Sequence, residues 1–227
     1  MKHIILTLFL VLSTSFSYAS CDSFYPGNKK IEEPQTIELC NSFFVSVFST
    51  KHNGVLFSSE ILTPGLSVTR ADGFSADKRL PKKHRHSPAD YSKSGFDRGH
   101  LVPAADARNN QQMEDTFFLS NVAPQEPTLN RKAWKELEEM IRRSTREPTI
   151  IITGVLYEDK ISGTKTNQHL GKNDIPVPVA FFKIVYKIAP LTAPIGYYVV
   201  NNVDAKPMRI TVDGINKRSG YNLPIEN

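Results

Sequence analysis

Apolar residues recur along the chain with two different periods, and the changes of period mark out its elements. Phe43 to Phe48 and Val55 to Phe57 are short β-branched and aromatic runs on either side of Asn53-Gly54, a pattern that predicts a hairpin. Thr149 to Thr153, Val179 to Ile188 and Tyr197 to Val200 predict three further strands, and Phe117 to Leu119 a short one. Leu129 to Arg143 is different. Ala133, Trp134, Leu137, Met140 and Ile141 recur at helical spacing with charges between them, which predicts an amphipathic helix ended by Pro148. Thr211 to Ser219 predicts a last short helix with Gly220 as its left-handed terminator. Residues 22–36 read as an extended arm, and residues 63–96 and 157–176 as long polar loops. Strands and helices do not alternate strictly. The expected class is therefore α+β, with a central, mainly antiparallel sheet flanked by helices.

Composition narrows this picture without redirecting it. The 227 residues, 40% hydrophobic and 22% charged, suit one globular domain with its own core and exclude a disordered chain. Lys2 and His3 precede the apolar run Ile4 to Leu12, and Ser17-Tyr18-Ala19 offers a small-x-small site. This predicts a secretory signal peptide over residues 1–19, cleaved after Ala19, and a single domain over 20–227. The apolar run is too short to span a bilayer comfortably. The expected location is secreted or periplasmic, with no membrane partner. Cys21 and Cys40 both follow the leader, and an even count in an exported chain predicts a disulfide between them. Ala19-Ser20-Cys21 is also lipobox-like, with Tyr18 where an aliphatic residue is usual. A net charge of +5 favours anionic partners, nucleic acid or an anionic membrane surface, without selecting one. Lys82 to His86 and Arg142-Arg143 are the basic runs, and each reads equally as a solvated face.

Two groups of residues carry chemistry. In Phe96-Asp97-Arg98-Gly99-His100, an imidazole can take a proton from water near neutral pH. The adjacent arginine can hold a phosphate with its planar fork of donors. Gly99 would let the backbone turn tightly, and Asp97 could orient that turn or the ring. The same residues also fit a surface histidine and a surface ion pair. In the second group, Asn130 opens the predicted helix, where it serves either as an N-cap or as a neutral oxygen ligand for a hard cation such as Mg²⁺. Glu138, eight residues on, lies about 12 Å along the axis. It cannot easily share one ion directly with Asn130, but it can reach an ion's water. Otherwise it is a solvated helix charge. His84, His86 and His100 raise a zinc module as another possibility, at irregular spacing and without a nearby cysteine.

Asp97-Arg98-Gly99-His100, continued by Leu101-Val102-Pro103-Ala104-Ala105-Asp106, resembles the signature of the DNA/RNA non-specific endonucleases, the DRGH nucleases of the ββα-metal superfamily. The stretch Phe117 to Glu138, with Leu119-Ser120-Asn121 and Leu129-Asn130, is similar to the same family in order and spacing. So are Ser94-Gly95-Phe96 and Pro176 to Lys183, and the likeness extends over roughly residues 40–220. The resemblance implies a metal-dependent endonuclease, a phosphodiesterase that contacts the phosphate backbone of DNA and RNA and so has no means of reading sequence. By the same resemblance His100 is the general base, Asn130 the one protein ligand of Mg²⁺ or Mn²⁺, and Glu138 a carboxylate on the ion's water. Arg98 and Arg70 bind phosphate, Asn121 stands beside the site, and the products carry 5′-phosphates. Two other functions fit the same scaffold: a non-catalytic nucleic-acid-binding protein, and a phosphodiesterase for a smaller substrate.

Overall fold

The computed structural model describes residues 21–70, 73–187 and 193–226. The proposed leader, residues 1–19, lies outside them, as does Ile188 at the end of one predicted strand. The predicted hairpin is present as β2 (Phe44–Ser49) and β3 (Gly54–Leu62), joined through Asn53 at φ 54°. Before it comes β1 (Thr36–Cys40), an edge strand that the hydrophobic pattern did not mark. The catalytic-looking segment is itself a strand, β4 (Asp97–His100), paired antiparallel with β5 (Val122–Gln125). Phe117 to Leu119 is not a strand: Phe117 caps α1 (Asn110–Thr116), and Leu119–Asn121 is a 3-10 turn leading into β5. α1 was invisible to periodicity because its sequence is polar. Its start is fixed instead by Asn109, whose side chain accepts from Gln112 N at 2.9 Å.

β6 (Thr149–Leu156) follows the long helix. The 157–176 loop then carries two small ribbons, β7 (Glu158–Asp159) with β8 (Thr164–Lys165), and β9 (His169–Leu170) with β10 (Ile175–Pro176). β11 (Ala180–Lys187), β12 (Ile195–Val200) and β13 (Met208–Ile210) complete the strands. The main sheet has seven strands in the order β1-β2-β3-β6-β11-β12-β13, and its pairs are antiparallel. β2 and β6 are buried at every position, so both faces of the sheet are covered.

The long helix starts at α2 (Pro127–Leu129), widens into one π turn over Asn130–Trp134, and continues as α3 (Lys135–Ser144). Pro127 suits the first turn, and Glu126 caps it by accepting from Leu129 N at 2.6 Å. Leu129, Trp134, Leu137 and Ile141 bury the apolar stripe against the sheet face that bears Phe181, with Trp134 and Phe181 rings 5.7 Å apart. The opposite face, bearing Phe57 and Phe182, is covered by Tyr221 and by α4 (Val212–Ser219) through Ile215. α4 begins at the Thr211 cap and stops at Gly220, φ 78°, as its sequence predicts. Cys21 and Cys40 are bridged, Cα to Cα 5.7 Å, which ties the first described residues to β1. Among the described residues no helix is long and apolar enough to cross a membrane.

Candidate active site

β4 and β5 form a two-stranded ribbon whose side chains alternate, so Arg98 and His100 share one side of it. Gly99 has no positive φ and makes no turn, contrary to the sequence expectation. It is required because Gln125, across the ribbon, occupies the space a side chain would fill. The helix that follows β5 approaches the same ribbon at its N-terminal end. Asp97 joins the two: Asn130 Nδ2 donates to Asp97 Oδ2 at 2.9 Å, and Arg131 grips the same carboxylate with bonds of 2.8 and 2.6 Å. Asp97 therefore orients neither a turn nor the imidazole. It orients the Asn130 amide.

Between ribbon and helix lies a cleft of about 400 Å³ lined by Arg70, Arg98, His100, Asn130, Arg131, Lys135, Glu138, Glu139 and Arg142, with Pro103 to Ala105. Five of these side chains are basic and two acidic, so the cleft favours a polyanion. The His100 ring sits against Phe74 at 5.0 Å and edge-on to Phe117 at 5.1 Å. Its Nε2 is buried with no hydrogen-bond partner among the described residues. Burial, reinforced by the Arg70 charge, brings the imidazole down to about 3. Arg98 lies over Phe74 at 5.2 Å and Tyr91 at 5.7 Å, and donates to Pro88 O at 3.0 Å. Arg70 lies over the Phe117 ring at 5.2 Å. Glu138 is mostly buried, with Lys183 Nζ 3.7 Å from its Oε1. Burial pushes this carboxyl up to about 7, opposed by Lys183 and assisted by Asp106.

Five of the six residues singled out from sequence thus meet on one cleft. Asn121 does not. It is fully buried, accepts from Val102 N and donates to Val102 O and Thr116 O, each at 3.1 Å, so its amide is spent on the chain just after His100. The zinc reading is also corrected. His84 bonds Asn53 Oδ1 and His86 bonds Asn53 O, both at 2.9 Å, under the 73–96 loop and away from His100. Among the described residues, the one cluster of three metal-binding side chains is Cys21, Glu38 and Cys40, whose sulfurs are already bridged. The basic loop is less solvated than its sequence suggests: Arg85 donates to Leu80 O and Lys78 O, and Arg79 to Asp77 and Cys40 O. Sequence reasoning noted Arg142 only within a basic run and missed its place beside Glu138 in the cleft. It follows Glu138 by one helical turn, a spacing that could have found it, and it bonds Asp106 at 2.5 Å.

Asn130 and Glu138 offer oxygen alone, and the Asp97 bond to Nδ2 leaves Asn130 Oδ1 as the amide's ligating end. That donor set fits a hard cation that keeps most of its waters. A basic cleft with a neutral imidazole and an oxygen-donor corner belongs to a metal-dependent phosphodiesterase of the ββα-metal type. The comparisons with known proteins agree: a model of the DNA/RNA non-specific endonuclease family matches residues 23–224. The chain belongs to that family, and is a hydrolase of its endonuclease class. It is 34% identical to the mitochondrial Endonuclease G of Homo sapiens, over 86% of this chain and 69% of the relative. It is 37% identical to the mitochondrial nuclease of Saccharomyces cerevisiae, over 66% and 50%. The fold matches EndoG in the solved EndoG/EndoGI complex at a TM-score of 0.72 and 26% identity, covering 82% of this chain and 84% of that one. Nucleases of this family are metal-dependent.

The relatives overturn one expectation. Several of them, those of Homo sapiens and Saccharomyces cerevisiae included, are mitochondrial nucleases, which points away from a secreted or periplasmic location. A basic start and a short apolar run do not by themselves separate one N-terminal address from another. The disulfide argued from export is present even though its premise has gone.

Proposed function

We propose that this nuclease hydrolyses DNA and RNA without sequence preference, with His100 as general base, a divalent cation held through Asn130, and 5′-phosphate products. The observation that carries this reading is the convergence of His100, Arg98, Arg70, Asn130 and Glu138 on one cleft. Burial keeps the His100 imidazole neutral at pH 7, in the form that accepts a proton. A phosphodiester entering the cleft brings negative charge beside the ring, which raises its proton affinity toward the working range. Arg98 and Arg70 hold the non-bridging oxygens and counter the charge that builds on them. Aromatic faces under both guanidiniums fix where those charges sit. Mg²⁺ or Mn²⁺, when bound, would supply Lewis-acid stabilisation of the phosphate and the departing O3′. Asn130 Oδ1 would ligate it, and Glu138 would accept from its water. Arginines that grip phosphate, not base edges, leave the enzyme blind to sequence.

The test is digestion of supercoiled plasmid and of single-stranded RNA, with Mg²⁺ or EDTA, by wild type and His100→Ala. Metal-dependent cleavage of both polymers by wild type and by neither in the variant is expected. Wild type inert on both across Mg²⁺ and Mn²⁺ would move the substrate to a smaller phosphodiester. Full activity of a natively folded His100→Ala would remove the general base.

A further inference from the structure

Beneath the cleft the sheet carries a polar row where apolar residues are the rule for a strand covered on both faces. Register sets Ser46, Ser58, Thr153 and Lys183 side by side across β2, β3, β6 and β11. Directly opposed residues share a face, and it is the face that receives the helix. Lys183 is 1% exposed. An ammonium has three donors, and three acceptors surround this one: Thr153 Oγ1 at 2.6 Å, Leu101 O at 3.3 Å and Glu138 Oε1 at 3.7 Å. The Trp134 ring lies 5.3 Å from Nζ. Leu101 directly follows His100, while Glu138 and Trp134 belong to the helix. One buried cation therefore touches both halves of the site.

We propose that Lys183 is a positioning residue for the nuclease reaction: its buried ammonium ties the Glu138 carboxylate to the chain that leaves His100 and fixes the carboxylate's aim into the cleft. The inference rests on Glu138 acting as described under the proposed function. Burying a cation is costly unless it is paired, and an apolar side chain would fill this space more cheaply. The charged groups facing Glu138 are Lys183 from β11, Asp106 from the turn after the motif, and Arg142 from its own helix. Glu60 from β3 lies in the same cluster, with Oε2 buried and unpartnered among the described residues. Burial, with the Asp106 charge, pushes the Glu60 carboxyl well above its usual range, and the Lys183 charge opposes that shift, so the ammonium faces Glu60 as well as Glu138. With Lys183 gone, nothing on the sheet opposes protonation of Glu138.

The experiment is a double-mutant cycle of Lys183→Met and Glu138→Gln, with Lys183→Arg beside it. Glu138→Gln alone is read first: a kcat equal to wild type overturns the role of Glu138, and a fall leaves the proposal to be judged on Lys183. In the wild-type background Lys183→Met should lower kcat about 10–100-fold, the usual cost of removing a residue that orients an active group. KM should change little and the acid limb of the pH profile should move to higher pH. In the Glu138→Gln background the same substitution should cost little more. An equal loss in both backgrounds would falsify the positioning role. A readout free of metal comes from infrared titration in EDTA: the protonated-carboxyl band assigned to Glu138, absent from Glu138→Gln, should persist to higher pH in Lys183→Met and not in Lys183→Arg. A band that moves equally in both variants counts against the ammonium's charge. If Lys183→Met does not fold, Lys183→Gln, which retains a donor for Leu101 O, carries the same cycle.

Discussion

Two histidines, His86 beneath the 73–96 loop and His100 at the end of β4, share much of their local physics and differ in what they can do. Both rings pack against phenylalanine, His86 on Phe48 at 5.4 Å and His100 on Phe74 and Phe117 at 5.0 and 5.1 Å. Burial lowers both, to about 4 and about 3. A depressed imidazole is therefore a sign of burial and not of function. The difference lies beyond the ring. His86 spends Nε2 on the Asn53 carbonyl and holds a loop to the hairpin turn. His100 faces a cleft where cations and ligating oxygens converge. Convergence of unlike groups marks the site, and no property of a single residue does.

The largest expected effect separates the two rings. His100→Ala should lower kcat about 10²–10⁴-fold, the range that a general base contributes, with an unchanged circular dichroism spectrum. His86→Ala should leave kcat near wild type and cost about 1–3 kcal/mol of stability by unpairing the Asn53 carbonyl. Plasmid cleavage rates and thermal melts of the two variants check this, and inactive but fully stable His86→Ala would break the contrast.

Two asparagines sharpen it. Asn130 reaches the cleft with its amide set by Asp97, whereas Asn121 is enclosed and fully bonded. Asn130→Ala should raise the Mg²⁺ needed for half-maximal activity about 10–100-fold. Asn121→Ala should leave that titration in place and cost about 1–3 kcal/mol of stability through the groups it unpairs. A metal titration that shifts with Asn121→Ala and not with Asn130→Ala would reverse the two assignments.

The pair shows why some of the site was legible and some was not. The strands β2, β3, β6, β11 and β12, the long helix and the α4 terminus follow from periodicity and end signals, which are local. Arg98, His100, Asn130 and Glu138 were legible because their motif and spacing carry a family resemblance. Asn121 came with the same motif, but motif letters do not distinguish a residue that touches substrate from one that holds the backbone behind it. Gly99 was misread for a similar reason: its need is a close approach by Gln125, a partner from another strand. β1 and α1 were missed because edge strands and polar helices lack an apolar stripe. Lys183 closes the stretch Pro176 to Lys183 that carries the resemblance, but its role, like that of Glu60, was not legible. They meet Glu138 only through sheet register, which no local pattern encodes, although polar residues in the buried run Phe57-Ser58-Ser59-Glu60 were a signal that the strand covers more than a core.

The smallest expected effect is the most discriminating, because it sets two buried groups against each other in sign. His86 has a folded value near 4 against 6.5 when exposed. The unfolded chain therefore binds more protons between these values, and this contribution to stability is lost as pH falls through the window. Glu138 is displaced the other way, from 4.5 up to about 7. There the folded chain binds more protons, so its contribution is present at low pH and is lost as pH rises toward 7. Between pH 4.5 and 6.5 the two oppose, His100 adding to the His86 term and Glu60 to that of Glu138, so the pair is read from each variant's slope relative to wild type. His86→Phe removes the rising term and should leave a Tm that falls with pH relative to wild type. Glu138→Gln removes the falling term and should leave a Tm that rises relative to wild type. Calorimetry in EDTA across that window checks both. Slopes of the same sign in the two variants would show that Glu138 is not held protonated by burial, and would separate the electrostatics of the cleft wall from those of the loop in a way that activity measurements cannot.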